Sequence, residues 1–248
     1  LSAGNCHLET GDLEKTKMFY NIALDQSIGR LNFKKACGIS RDLGKIFETR
    51  DLIVDSMRMY KKALQYNEIG FGSLGTKNEI MMKLGDLGVR NGQYMDSLVI
   101  YRDLIEANIG PGSGSGSGSG SGPTLSLLKY KLKDQVLRYI LCQSVISMGS
   151  LDNQNEENKN EENENTLGSD YLTQLLEKYN QMIPMFQNTP EYRLLDRMIS
   201  MLENDDEKNI KLLRYEKDYV QLFADHGINK LFSELIDLCD KMETIDLS

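Results

Sequence analysis

The residues with the best claim to chemistry form a glycine-rich run, Gly70-Phe71-Gly72-Ser73-Leu74-Gly75, with Lys77 just beyond it. That spacing is the one with which backbone amides cradle a phosphate, but a dinucleotide loop needs a preceding strand and a nucleoside-triphosphate loop needs Gly-Lys-Ser/Thr. Here the preceding segment Tyr60–Ile69 has helical spacing, and Thr76 separates Gly75 from Lys77. The run therefore reads as a turn between helices, with glycine supplying the permissive backbone. His7 and His226, the only histidines, pair with no Cys or Ser in a nucleophile signature. His226, just before Gly227, is expected at a helix end in a capping or exposed role. Cys6, Cys37, Cys142 and Cys239 form no CxxC pair and stand near no suitably spaced histidine. A disulfide or zinc framework is therefore not expected, and a reducing cytoplasm fits best. Carboxylates are plentiful without forming an acid/base pair, so no catalytic constellation, metal or cofactor is expected.

A sharper chemical signal is the basic stretch Leu127-Leu128-Lys129-Tyr130-Lys131-Leu132-Lys133-Asp134, continuing to Arg138, Leu141 and Cys142. At helical spacing Lys129, Lys133 and Arg138 present positive charge while the leucines turn to a core; the plain alternative is a solvated basic face.

The elements that must position these residues are helices. A turn-forming start, a helix carrying a tyrosine, and then a small-or-apolar pair recur three times: Gly11-Asp12-Leu13 to Tyr20, Ala23 and Leu24; Asp51-Leu52 to Tyr60, Ala63 and Leu64; Gly92-Gln93-Tyr94 to Tyr101, Leu104 and Ile105. The tyrosines are 40 and 41 residues apart. One supersecondary unit used several times predicts a solenoid of helical hairpins, which presents a long curved surface suited to an extended partner. Helical periodicity over Val54–Tyr66, Leu98–Ile109, Val136–Met148 and Tyr171–Met185, with no strand-like alternation, predicts an all-α fold.

With 248 residues, 40% hydrophobic and 27% charged, the chain is long enough for one or two domains. A net charge of -8 argues against nucleic acid as the main partner. Five glutamates against one lysine in Asn153–Asn165 supply about half of that excess, in a stretch without any apolar residue that reads as a disordered insertion. Pro111–Pro123 alternates Gly and Ser strictly and reads as an engineered linker. The expected organisation is TPR-like hairpins over 1–110, the linker over 111–123, and further hairpins with a C-terminal bundle over 124–248, interrupted by the Asn/Glu-rich insertion at 152–166. The start at Leu1, mid-repeat, reads as a truncation.

The stretch Leu127–Cys142 resembles the Leu-Leu-Lys-Tyr-x-x-Lys-Asp-x-x-x-Lys/Arg-x-x-Leu-Cys segment of the soluble NSF attachment protein family, the adaptors that join SNARE complexes to the ATPase NSF. Similar short motifs lie on both sides in collinear order: upstream Ala3-Gly4-Asn5, Gly29-Arg30, Lys45-Ile46-Phe47-Glu48-Thr49, Gln93-Tyr94 and Ile100-Tyr101, downstream Lys178-Tyr179 with Pro184 and Phe186, and the acidic Glu203, Asp206, Glu207 and Asn209. The resemblance implies an all-α, TPR-like right-handed solenoid with a C-terminal helical bundle, and an adaptor rather than an enzyme, acting in vesicle trafficking and membrane fusion from the cytosolic face of membranes. Its implied SNARE-facing residues are Lys83, Lys129, Tyr130, Arg193 and, across an alignment offset of two residues, either Lys34 or Lys35. Its implied NSF-facing residues are Glu203, Asp206, Glu207 and Leu247.

This chain departs from the family at Glu79 and Pro190, where basic residues are expected, and near Ser147, where an acidic NSF-facing position is uncharged. The family's N-terminal hairpins and their membrane-attachment loop have no counterpart here, so weak membrane binding is expected. A generic TPR-like scaffold for a peptide tail is the alternative.

Overall fold

Three-residue links set the pattern of the first helices. In the computed structural model, which describes residues 2–9, 11–109, 123–154, 169–183, 185–203 and 226–246, the chain is all-α, with no strand among the described residues. It divides into two compact units, 1–91 and 92–248, the division falling upstream of the Gly/Ser linker.

The first unit holds α1 (Ser2–Glu9), α2 (Leu13–Gly29), α3 (Phe33–Thr49), α4 (Ile53–Ile69) and α5 (Leu74–Arg90). Helices α2 to α5 are each 17 residues long. Each link turns the chain through one left-handed residue: Gly11 (φ 80°), Leu31 (54°), Asp51 (59°) and Phe71 (48°). The amide after it donates back to a carbonyl five residues earlier: Asp12 to His7 at 2.9 Å, Asn32 to Ser27 at 2.9 Å, Leu52 to Phe47 at 2.9 Å and Gly72 to Asn67 at 2.7 Å. This closure satisfies carbonyls that the helix end would leave orphaned. In the first two links the same residue then opens the next helix. Asp12 Oδ1 accepts from Lys15 N at 3.0 Å and Asn32 Oδ1 from Lys35 N at 3.1 Å. In the last link, one residue longer, Ser73 Oγ takes that role toward Thr76 N at 3.1 Å.

The glycine run is thus a turn, as its sequence implies, but with the roles of its residues exchanged. The left-handed conformation falls on Phe71, while Gly70 and Gly72 are needed for space. A Cβ at Gly70 would stand 3.0 Å from Phe33 Cβ and 3.2 Å from Lys34 N, and one at Gly72 would run into the Asn67 side-chain amide. The loop can rest on the first turn of α3 only because both positions lack a side chain.

Successive helices pack on one another, α3 against α4 most extensively. In α3 the buried residues Ala36, Ile39, Ser40, Leu43, Ile46 and Phe47 recur at the three- and four-residue spacing of one helical face. All of these but Ser40 join Tyr20 and Leu24 of α2 and Met59 of α4 in a single core. Close approach depends on glycines facing tyrosines: a Cβ on Gly4 would lie 2.8 Å from the Tyr20 ring, and one on Gly44 would lie 3.1 Å from the Tyr60 ring. Ser56, fully buried, donates across the same interface to the Gly44 carbonyl at 2.8 Å.

The second unit contains α6 (Tyr94–Ile109), α7 (Pro123–Gln154), α8 (Ser169–Met182), a 3-10 turn at Phe186–Asn188, α9 (Pro190–Glu203) and α10 (His226–Asp246). Helix α7 is its axis, touching α6, α8, α9 and α10. Every residue from 135 to 145 is buried, the pattern of a helix surrounded on all sides. Asn108 of α6 donates to Gln135 of α7 at 2.9 Å, and the Cys142 thiol donates to the Tyr94 carbonyl at 3.2 Å. The helix expected over Tyr171–Met185 stops at Met182, and Met185 adopts φ 61°. A proline at position 184 has no amide to donate to a continuing helix. Helix α7 begins at Pro123 and reaches Gln154, so it takes in the last residue of the Gly/Ser linker and the start of the Asn/Glu-rich segment. The rest of both segments lies outside the described residues.

Leu52 has nearly the same backbone angles as Asn32 (φ -85°, ψ 68° against -89°, 72°) but no side-chain acceptor for α4. Leu52→Asn is expected to raise stability by about 1 kcal/mol, the usual contribution of an N-cap; urea denaturation with an unchanged m-value is the check. In a thiol titration near neutral pH only the exposed Cys6 is expected to react before unfolding, because Cys37, Cys142 and Cys239 are buried. Burial pushes the Cys142 thiol from its ordinary 9.0 up to about 12. The folded chain therefore keeps a proton that the unfolded chain loses above pH 9. Stability from this group is intact below pH 9 and falls as pH rises toward 12.

Candidate functional site

Helices α3 and α5 are joined by side chains rather than by close backbone contact. Arg41 meets Glu79 at 3.0 Å, Glu48 meets Lys83 at 3.0 Å, and Asp51 meets Arg90 at 2.8 Å. These pairs ascend together along both segments, so the two helices run parallel, as helices one hairpin apart must. Glu48 is the hub. Its Oε1 receives Lys83, with Arg90 3.9 Å away, and its Oε2 accepts from the Tyr60 hydroxyl at 3.3 Å. Burial, and then the adjacent Glu48 carboxylate, hold the Tyr60 phenol well above its ordinary pKa, so Tyr60 stays a hydrogen-bond donor.

Helices α3 and α5, joined side by side by these bridges, carry Lys34, Lys35, Arg41, Lys45, Lys77, Lys83 and Arg90 against Asp42, Glu48, Glu79 and Asp86. Positive charge is therefore in excess on these two helices of a chain whose formal charge is -8. Lys34, Lys35 and Lys45 are exposed and have no ion-pair partner among the described residues. The first two are placed against local stability. They occupy the first turn of α3, which contains no acidic residue, where the helix dipole disfavours positive charge. Neither pairing nor helix electrostatics accounts for them, whereas an anionic partner would.

Among the residues singled out from the sequence, Lys34 and Lys35 both stand exposed in the first turn of α3, and no contact separates them into one functional and one neutral lysine. Lys83, on α5, is only partly free, since Glu48 already engages it. Arg193 is exposed in the first turn of α9, behind the Thr189 cap, in the second unit. Lys129 and Tyr130 lie within α7 and Glu203 ends α9; their side chains are outside the described set, as are residues Asp206, Glu207 and Leu247 altogether. The expectation that Arg138 presents its charge outward is overturned: it is buried and ion-paired with Asp134 one turn earlier in α7. A helix surrounded by four others has no free side at that position. His226 opens α10 and is exposed rather than closing a helix. The His7 ring lies parallel to that of Phe19 at 5.4 Å.

Two cations escaped sequence reasoning, Arg41 and Lys45. Their signal was present, since Lys34, Arg41 and Lys45 are seven and four residues apart and so share one helical stripe. Lys77 does not contact a phosphate-binding loop and instead pairs with Glu68 at 3.0 Å. Among the described residues, no group of three or more His, Cys, Asp or Glu side chains is arranged to hold a metal ion, and no helix is long and apolar enough to cross a membrane.

No protein-family model matches the chain, and no curated protein matches it significantly.

If Lys34 and Lys35 are present for a partner rather than for the fold, the double variant Lys34→Glu, Lys35→Glu is expected to be more stable than the parent by about 1 kcal/mol. The check is a thermal melt; a lowered midpoint would mean that the lysines support α3.

Proposed function

We propose that this chain is a non-enzymatic adaptor of the soluble NSF attachment protein type, most like the alpha-SNAP branch. It binds the acidic helical bundle of an assembled SNARE complex and recruits and stimulates the NSF ATPase for SNARE disassembly at the cytosolic face of membranes. The observation that carries this reading is the excess of cations on α3 and α5, including two lysines in the first turn of α3, where the helix dipole disfavours positive charge. An extended anionic bundle lying along parallel helices would meet several of these cations at once, and several are needed, because each exposed pair contributes about 0 to 1 kcal/mol.

In this reading the helices form a TPR-like right-handed solenoid followed by a C-terminal bundle. Three features support it: the recurring links, the 40-residue spacing of the Gly4/Tyr20 and Gly44/Tyr60 contacts, and the same glycine-to-tyrosine interval between Gly85 and Tyr101 in the sequence. Lys83 joins the interface when a SNARE carboxylate replaces Glu48. Lys129, Tyr130 and Arg193 extend the grip, while Glu203, Asp206, Glu207 and Leu247 face NSF.

The test is capture of an assembled SNARE bundle by the chain, with and without NSF, at two salt concentrations. The parent is expected to capture the bundle in a salt-sensitive way and to recruit NSF. Lys83→Glu with Lys129→Glu is expected to abolish capture while leaving the helical circular dichroism unchanged. Capture indifferent to salt and to both substitutions would overturn the assigned surface.

A further inference from the structure

Leu31 and Phe71 contradict ordinary design twice over. Each occupies the left-handed backbone region that large side chains avoid (φ 54° and 48°), and each is exposed to solvent, by 75% and 93%. Neither side chain is explained by its own backbone or by packing. Gly11 and Gly92 fill the same role in other links without that strain. The two links also lie against each other. The 70–72 loop sits on the first turn of α3, with Gly70 directly against Phe33 and Lys34, two and three residues beyond Leu31. Leu74, also exposed, widens the apolar tip.

The surroundings of this tip are cationic. Arg30, Lys34 and Lys35 are exposed without an ion-pair partner among the described residues. Glu68, the carboxylate nearest the 70–72 loop in sequence, is neutralised by Lys77; Asp25 lies a turn back along α2.

We propose that the tip formed by the α2/α3 and α4/α5 links inserts Leu31 and Phe71 into an anionic lipid bilayer, with Arg30, Lys34 and Lys35 at headgroup level. Two features favour a bilayer over a protein partner. The apolar groups project from loop ends rather than lining a groove, so they need a yielding surface and not a complementary pocket. The unpaired cations that follow or flank Leu31 match the potential of an acidic leaflet. The contact does not require the adaptor reading, although it shares Lys34 and Lys35 with it; the Leu31, Phe71 and Arg30 variants test it apart from that reading.

The full chain is to be sedimented with phosphatidylcholine vesicles, with and without phosphatidylserine. Binding is expected only to the anionic vesicles. Leu31→Asn with Phe71→Asn should lower partitioning on the order of tenfold or more. Asn tolerates the left-handed conformation, so the thermal midpoint should not fall and the loss would not be an unfolding artefact. Arg30→Gln should lower partitioning about fivefold. The chain contains no tryptophan, so Phe71→Trp supplies a single fluorophore, expected to shift to the blue and to be quenched by brominated lipid. Failure to bind anionic vesicles, binding indifferent to the two Asn substitutions, or a Trp emission that lipid leaves unchanged would each overturn the proposal. So would light scattering that shows a dimer dispersed by the Asn substitutions, which would assign the tip to a second copy of the chain.

Discussion

A link of three residues, lengthened by one before α5, is the constraint on which the first five helices depend. One left-handed residue reverses the chain. The amide after it closes the helix behind, and a side chain there or at the next position, except at Leu52, opens the helix ahead. Because the hydrogen-bonding demands of two helix ends are met within so few residues, neighbouring helices have little slack and must lie antiparallel. Equal helix lengths then bring every second helix back to the same side. The core is a consequence of this arrangement: the apolar stripe of α3 can reach α2 and α4 together only because the links hold them close, and Gly4 and Gly44 leave room for the Tyr20 and Tyr60 rings.

The same period distributes charge. Parallel α3 and α5 bring Arg41 to Glu79 and Lys83 to Glu48, contacts that no local sequence relation would suggest. These exposed bridges are individually weak, and their larger effect is on which cations remain available. Glu79 and Glu48 occupy Arg41 and Lys83, leaving Lys34, Lys35 and Lys45 as the unpaired positive charge. An acidic partner would thus meet free lysines at the start of α3 and near its end, and would compete with Glu48 for Lys83. Electrostatics of this kind favours encounter and orientation more than raw affinity, and salt screens it.

Much of this was legible in the sequence, and what was missed has physical causes. The all-α class followed from helical spacing, and the tyrosines at 20, 60 and 101 marked a unit of two helices; all three are buried. The shorter period of the links was hidden because left-handed residues were sought among glycines, whereas Leu31, Asp51 and Phe71 take that conformation. Arg138 was misread because burial on all sides of α7 arises from packing by four helices, most of them distant in sequence. For the candidate site, Lys34 and Lys35 could be named, but the engagement of Lys83 could not. Its partner Glu48 is 35 residues away and becomes a neighbour only through tertiary packing.

The central claim is that the parallel α3/α5 face is a docking surface for an acidic helical bundle. Hydrogen–deuterium exchange of the chain, free and bound to an assembled SNARE bundle, tests it most directly. The account predicts added protection along α3 and α5, with the first turn of α3 included and the exposed side of α2 unchanged. Protection confined to α2 and α4, or an exchange profile that the bundle leaves unaltered, would contradict it.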